Sequence, residues 1–122
     1  MTREDIITWC RKQYGAEPDY PWNDNNAVLR HKKAGKWFED LLEVRRDRLG
    51  VAGEEMADVL NVKSEPVLIG SLRMREGFLT AYHMNKENWI SILFEKAAPD
   101  DEIKNLIELS FQMTLPKNSR KP

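Results

Sequence analysis

The sequence predicts a two-layer α+β domain, an antiparallel β-sheet with helices on one face, in the order α-β-β-β-α-β-β-α. Three observations carry this. Segments of extended periodicity follow one another directly instead of alternating strictly with helices, which points away from a parallel sheet. Stretches near both ends place apolar residues at helical spacing behind clear start signals. The 122 residues suit one domain, which at this length hides roughly two thirds of the surface its unfolded chain exposes.

The first helix opens at Thr2, with Asp5 completing a capping-box pattern and Gly15 offering a left-handed stop. Ile6, Cys10 and Tyr14, with Ile7 beside them, form its apolar stripe. "GAEPDYPWNDNN" reads as a long loop, its prolines and Asx residues breaking any period. Tyr20, Pro21 and Trp22 are apolar enough to be expected over the edge of the core. "AVLRH" and "KWFEDLLEV" then flank the turn "KKAG", where Gly35 can take a positive φ, and form a hairpin. Phe38, Leu42 and Val44 are its inward candidates.

The charged connection "VRRDRLGVAGEE" leads to the strand "MADVLNVK". One face of it holds Met56, Asp58, Leu60 and Val62, the other Ala57, Val59, Asn61 and Lys63. "SEPVLIGSLRMREG" is expected as a helix, with Ser64 or Glu65 at its cap, Pro66 in its first turn and Gly77 at its end. "FLTAYHM" and "NWISILFE" make a second strand pair joined through the turn "NKEN", with Ile90, Ile92 and Phe94 as an inward row. The last helix, "PDDEIKNLIELSFQMT", puts three acids at its positive end and Ile103, Leu106, Ile107, Ser110 and Phe111 on one face. The domain is therefore expected to span residues 1–116, with 117–122 a basic, frayed tail.

Composition narrows the function. Hydrophobic residues make up 41% and charged residues 32%, and no apolar run is long enough for a bilayer. The N-terminus lacks the features of a secretory signal. Cys10 is the one cysteine and can form no internal disulfide, so a cytoplasmic location is expected. With His31 and His83 the only histidines, a Cys/His zinc cage is ruled out, and neither a phosphate-binding glycine loop nor a dinucleotide fingerprint is present. No cofactor, no metal site and no membrane partner are expected, and neither histidine sits in a recognisable nucleophile setting. The protein is read as not an enzyme. The net charge of −1, from 19 basic and 20 acidic residues, requires that any contact with nucleic acid come from a local patch.

Four segments, "YPW" at Tyr20 to Trp22, "AVLRHKKAGKWF" at Ala27 to Phe38, "DVLNVK" at Asp58 to Lys63 and "AYHMNKENWISI" at Ala81 to Ile92, resemble the MmcQ/YjbR family in content and order. The resemblance runs from the first helix to about Thr114. It implies a CyaY-like (frataxin-like) fold and DNA binding by a "double wing". The frataxin-like fold also raises iron binding, but the acid clusters Asp100 to Glu102 and Glu4 with Asp5 stand at helix starts, where capping and the dipole explain them.

Two patches fit the double-wing description. Arg30, His31, Lys32, Lys33 and Lys36 surround the first tip, and from Val28 to Arg48 seven basic residues face four acids. Lys63, His83, Asn85, Lys86 and Trp89 gather around the second strand pair. The cations would meet phosphates, and Asn85 or Trp89 would touch bases. The competing reading is that the lysines keep an exposed turn soluble and the asparagines only build one. Residues 1–116 hold 16 basic and 20 acidic groups, so the expected DNA binding is weak and largely blind to sequence. The alternative is a protein-interaction or small-anion module using an aromatic, cationic pocket of Tyr20, Trp22, Tyr82, His83, Lys86 and Trp89.

Overall fold

The computed structural model describes residues 1–32, 35–96 and 98–116. Its elements run α1 (Arg3–Tyr14), β1 (Ala27–Arg30), β2 (Trp37–Arg45), a 3-10 turn (Arg46–Leu49), β3 (Met56–Lys63), α2 (Pro66–Leu72), β4 (Phe78–Thr80), β5 (Trp89–Leu93), a second 3-10 turn (Phe94–Lys96) and α3 (Asp100–Thr114). The strands form one sheet in the order β1-β2-β3-β5-β4, with every pair antiparallel. Lys33 of the first tip and the tail 117–122 lie outside the described residues.

Sequence chemistry sets the ends of α1. The Thr2 side chain accepts from the Asp5 amide, Asp5 returns the favour to the Thr2 amide, and Gly15 stops the helix at φ 66°. Two orphan N–H groups are thereby satisfied by side chains three residues apart. α2 is shorter than the sequence suggests. It ends at Leu72, with no side-chain cap, because "RMREG" has no apolar face to bury beyond that point. Met74 stays 89% exposed.

All three helices bury their apolar sides in one cluster. Ile6, Ile7 and Cys10 of α1, Ile69 and Leu72 of α2, and Ile103, Leu106 and Ile107 of α3 meet Leu29, Phe38, Leu41, Leu60, Val62, Ile90 and Ile92 of the sheet. The opposite face carries a second cluster, Leu42, Val44, Ala57, Val59 and Leu93, covered by loop residues Leu49 and Tyr82 with Leu79. Among the described residues no α-helix lies there, so loops and the first 3-10 turn close that face. Burying side chains of this size stabilises by roughly 1.5–3 kcal/mol each, and both faces contribute.

The split assignment of Phe38 against Leu42 and Val44 follows from a bulge. The β1–β2 register slips between Leu29 and Arg30, so Arg30 pairs with Trp37 and Leu29 with Glu39. Phe38 is thereby turned to the helical side, while Leu42 and Val44 face the loops. An isolated bridge between Asp19 and Val28 protects the outer edge of β1. Among the described residues no helix is long and apolar enough to cross a membrane.

Gly77 fixes the entry to β4. It sits at φ 90°, and an added Cβ would lie 2.6 Å from the Lys96 carbonyl oxygen. Replacement by alanine combines a disfavoured φ with a backbone clash, so Gly77→Ala is expected to destabilise by about 2 kcal/mol or more in a denaturant titration.

Candidate functional site

Register places the two basic patches at one end of the sheet. Arg30 pairs with Trp37, Lys63 with Trp89 and Thr80 with Ile90. The tip 31–36, the C-terminus of β3 and the loop 81–88 therefore emerge together. α3 fastens this end from below. Ser110 Oγ donates to the Phe38 carbonyl at 2.5 Å and accepts from the Lys63 amide at 2.9 Å. Its hydroxyl thus stands between β2 and β3 at the end of their ladder.

The cations at this end have different fates. Arg30 is taken up by Asp19, at 2.5 Å. His31 is 8% exposed, packed against Phe38 and Phe111, with Nε2 2.7 Å from Thr114 Oγ1. The Thr114 hydroxyl also lies within hydrogen-bonding distance of the Ser110 carbonyl, at 2.8 Å, which ties the ring to the last turn of α3. Burial holds the His31 pKa below its ordinary value, and the neutral ring is an anchor for the tip. His31 thus lies enclosed beneath the tip, where it lines the cavity described below.

Lys32 and Lys36 are exposed. Lys32 leans over the end of α1, its Nζ 3.6 Å from where a Cβ on Gly15 would stand. That position also faces the negative end of the helix dipole. Gly35 is crowded by the same anchor: an added Cβ would fall 2.7 Å from Cβ of His31. Beneath the tip, Tyr14, Phe111 and Leu115 floor a cavity of about 510 Å³ rimmed by Arg30, Lys32 and Lys36.

The second patch is not a simple hairpin tip. β4 ends at Thr80 and "AYHM" leaves the sheet, because Tyr82 folds over the second face. Its amide donates to Ser91 Oγ at 2.9 Å and its carbonyl accepts from Asn61 Nδ2 at 3.1 Å. His83 follows at φ 58°, its ring 4.1 Å from that of Tyr82. A left-handed φ at a residue other than glycine costs of order 1 kcal/mol or more. Asn85 builds the turn back: its Oδ1 accepts from the Glu87 amide and its carbonyl from the amides of Asn88 and Trp89. Lys86 is exposed, while Lys63 and Trp89 are half-buried.

Of the aromatic set expected to share a pocket, the structure assembles only part. Trp22, Tyr82 and His83 line a cavity of about 490 Å³ on the second face. Tyr20, Trp89 and Lys86 are not among its walls. Nor do Tyr20 and Trp22 cover the core edge as expected, being 43% and 49% exposed. Trp22 instead meets Trp37 edge to face, centroids 5.7 Å apart. At the base is Asp40, 3% exposed, with Oδ1 unpartnered. Burial pushes its pKa up to about 7, a hydrogen bond with Asn61 opposing the rise. A neighbouring cavity of about 560 Å³ shares Arg48, Tyr82, His83 and Met84, and adds Lys86.

Asp40 and Trp37 escaped the sequence reading. The available signal was "ED" at Glu39–Asp40 inside an apolar strand. Neighbouring residues of a strand point to opposite faces, so with both faces of the sheet covered each acid had to be buried. Cys10 Sγ donates to Glu39 Oε1 at 2.8 Å on the helical side. Among the described residues no group of three or more acid, histidine or cysteine side chains is arranged to hold a metal.

A five-stranded antiparallel sheet with three helices on one face and loop-built cavities on the other defines the class of protein, and the YjbR family model matches residues 11–113. The chain belongs to that family. It is 45% identical over 116 residues, 93% of its length and 98% of the relative's, to the uncharacterized protein YyaQ of Bacillus subtilis (strain 168). A crystal structure of a Pseudomonas syringae protein superposes with a TM-score of 0.90 at 40% identity, covering 94% of this chain and all of that one. Deinococcus radiodurans DR2400, 17% identical over 98% of this chain and 83% of its own, shares the fold with a TM-score of 0.73.

Proposed function

We propose that the protein is a non-enzymatic DNA-binding module that meets phosphates with the end of the sheet where the tip 31–36 and the loop 81–88 emerge. The observation that carries this reading is the shared end itself: Arg30, Lys63 and Thr80 terminate β1, β3 and β4 at the same end of the sheet. Lys32, Lys36 and Lys86 are exposed there, and among the described residues none of the three, nor Lys63, has an ion-pair partner. Lys33 would add to them. Arg30 serves by setting the tip against Asp19, and His31 by anchoring it, rather than by touching phosphate.

Three or four phosphate contacts on a chain of net charge −1 give weak, sequence-tolerant binding. Asn85 is committed to its turn, which leaves Trp89 and Asn88 as the side chains near the sheet end able to touch a base. Charge reversal tests the use of both loops. Lys32→Glu and Lys86→Glu are each expected to weaken binding of a labelled random duplex by roughly tenfold, through a lost contact plus repulsion. An effect confined to one of them contradicts a two-loop grip.

A further inference from the structure

The two adjoining cavities on the second face differ in charge in a way that suits one kind of ligand. The first, walled by Trp22, Trp37 and Tyr82, ends on Asp40. Asp24, also in its lining, already accepts from the Asn26 amide at 2.8 Å and side chain at 3.3 Å. Glu43, half-buried, lines the cavity too, but of its three acids only Asp40 has a fully buried oxygen without a donor, and a buried acceptor left so costs about 1–3 kcal/mol. The second cavity contains no acid and brings Arg48 together with Lys86, both exposed. His83, strained at φ 58°, lines both.

We propose that this double cavity binds a nucleotide unit, its base stacked against the Trp22–Trp37 corner with an amino group on Asp40, and its phosphate on Arg48 and Lys86. Flat aromatic faces accept a base of any kind, and a carboxylate accepts only N–H or O–H donors. Guanine offers a ring N–H beside an amino group. Uracil offers one N–H flanked by two carbonyl oxygens, which would face the carboxylate. Guanine is therefore the favoured base and uracil the least. A volume near 490 Å³ falls within the range of small-ligand sites. The unit is either a free nucleotide or part of a single strand. The site shares Lys86 with the duplex contact proposed above, but Trp22, Trp37, Asp40 and Arg48 belong to it alone, so either reading can fail without the other.

The test is a titration of the full chain with GMP, UMP and guanosine, followed by the indole N–H signals of Trp22 and Trp37 in ¹H–¹⁵N spectra. GMP is expected to move both signals and to bind at least about tenfold more tightly than UMP or guanosine, a ratio set by one charge-assisted hydrogen bond. Asp40→Asn should erase the preference for GMP over UMP. Arg48→Ala should reduce that for GMP over guanosine, and Arg48→Ala with Lys86→Ala should erase it. Trp22→Ala, at a half-exposed position, keeps the fold and should weaken GMP by a similar factor. A guanine-containing single strand binding more tightly than GMP assigns the site to nucleic acid, and equal or weaker binding assigns it to the free nucleotide. Equal affinity for GMP and UMP, or unmoved Trp22 and Trp37 signals, overturns the proposal.

Discussion

Phe38→Ala is expected to lower stability by about 3–5 kcal/mol, the range for emptying a fully buried aromatic site. Domains of this size store only about 5–15 kcal/mol, so the loss is a large share of the whole. Phe38 is 0% exposed and touches three rings: Tyr14 and Phe111 edge-on, at 5.5 and 5.0 Å, and His31 at 5.3 Å. Edge-to-face pairs add about 0.5–1.5 kcal/mol beyond burial alone. α1, α3 and the base of the first tip all converge on this ring, and few neighbours can move in to fill its space. The melting temperature should fall by roughly 10–20 °C. Phe38→Leu, which retains most of the volume, should cost less than half as much. Equal losses from the two would mean that the site repacks freely and that the aromatic cluster does not hold the tip.

The second large effect concerns pH. Burial pushes Glu39 up to about 8, the nearby Asp40 charge adding to the rise and the Cys10 hydrogen bond opposing it, and pushes Asp40 up to about 7. Their ordinary values are 4.5 and 3.8. Between those limits the folded chain holds protons that the unfolded chain has released, so stability falls as pH rises. The contribution is complete below about pH 4 and exhausted above about pH 8. At about 1.4 kcal/mol per pKa unit, the pair amounts to several kcal/mol. Melting temperature should therefore decline from pH 5 to pH 8 and level off beyond. Glu39→Gln keeps the shape without the titration and should flatten that decline by about half or more. An unchanged slope in Glu39→Gln would place the titrating group elsewhere. The carboxylates held low by partners, Asp5, Glu17, Glu55 and Glu102, lie at the surface. They act in the opposite direction and only at more acidic pH, where they protonate.

What could be read from the sequence was whatever local chemistry alone decides. Thr2 with Asp5, Gly15, Pro66 and the face Ile103–Leu106–Ile107 are all short-range signals, and each stands as read. The faces of β3 also followed from period two, because Leu60 and Val62 serve one cluster and Ala57 and Val59 the other. "FLTAYHM" misled because Ala81 and Tyr82 are apolar and buried or half-buried, yet the backbone partners of Tyr82 are side chains of β3 and β5. Nothing within seven residues could signal that. His31 misled for the same reason. Its position in a basic tip suggested a surface, whereas Thr114 and Phe111, some 80 residues on, enclose it.

The candidate site divides similarly. Lys32, Lys36 and Lys86 could be found because exposed charge is a local property. The Trp22–Trp37 corner and the buried Asp40 depend on a loop crossing the second face, a matter of tertiary arrangement. Glu39–Asp40 was the exception. Two adjacent acids inside an apolar strand must face both sides, and that much was legible.

The central claim is that exposed lysines on two loops at one end of the sheet hold a polyanion together. Its most direct measurement is fluorescence anisotropy of a short random-sequence duplex with the wild-type chain, taken at several salt concentrations. Three or four contacts predict a log–log slope of about −3, so that affinity falls roughly fiftyfold between about 50 and 200 mM salt. No binding at the lowest salt, or an affinity that does not change with salt, would contradict the account.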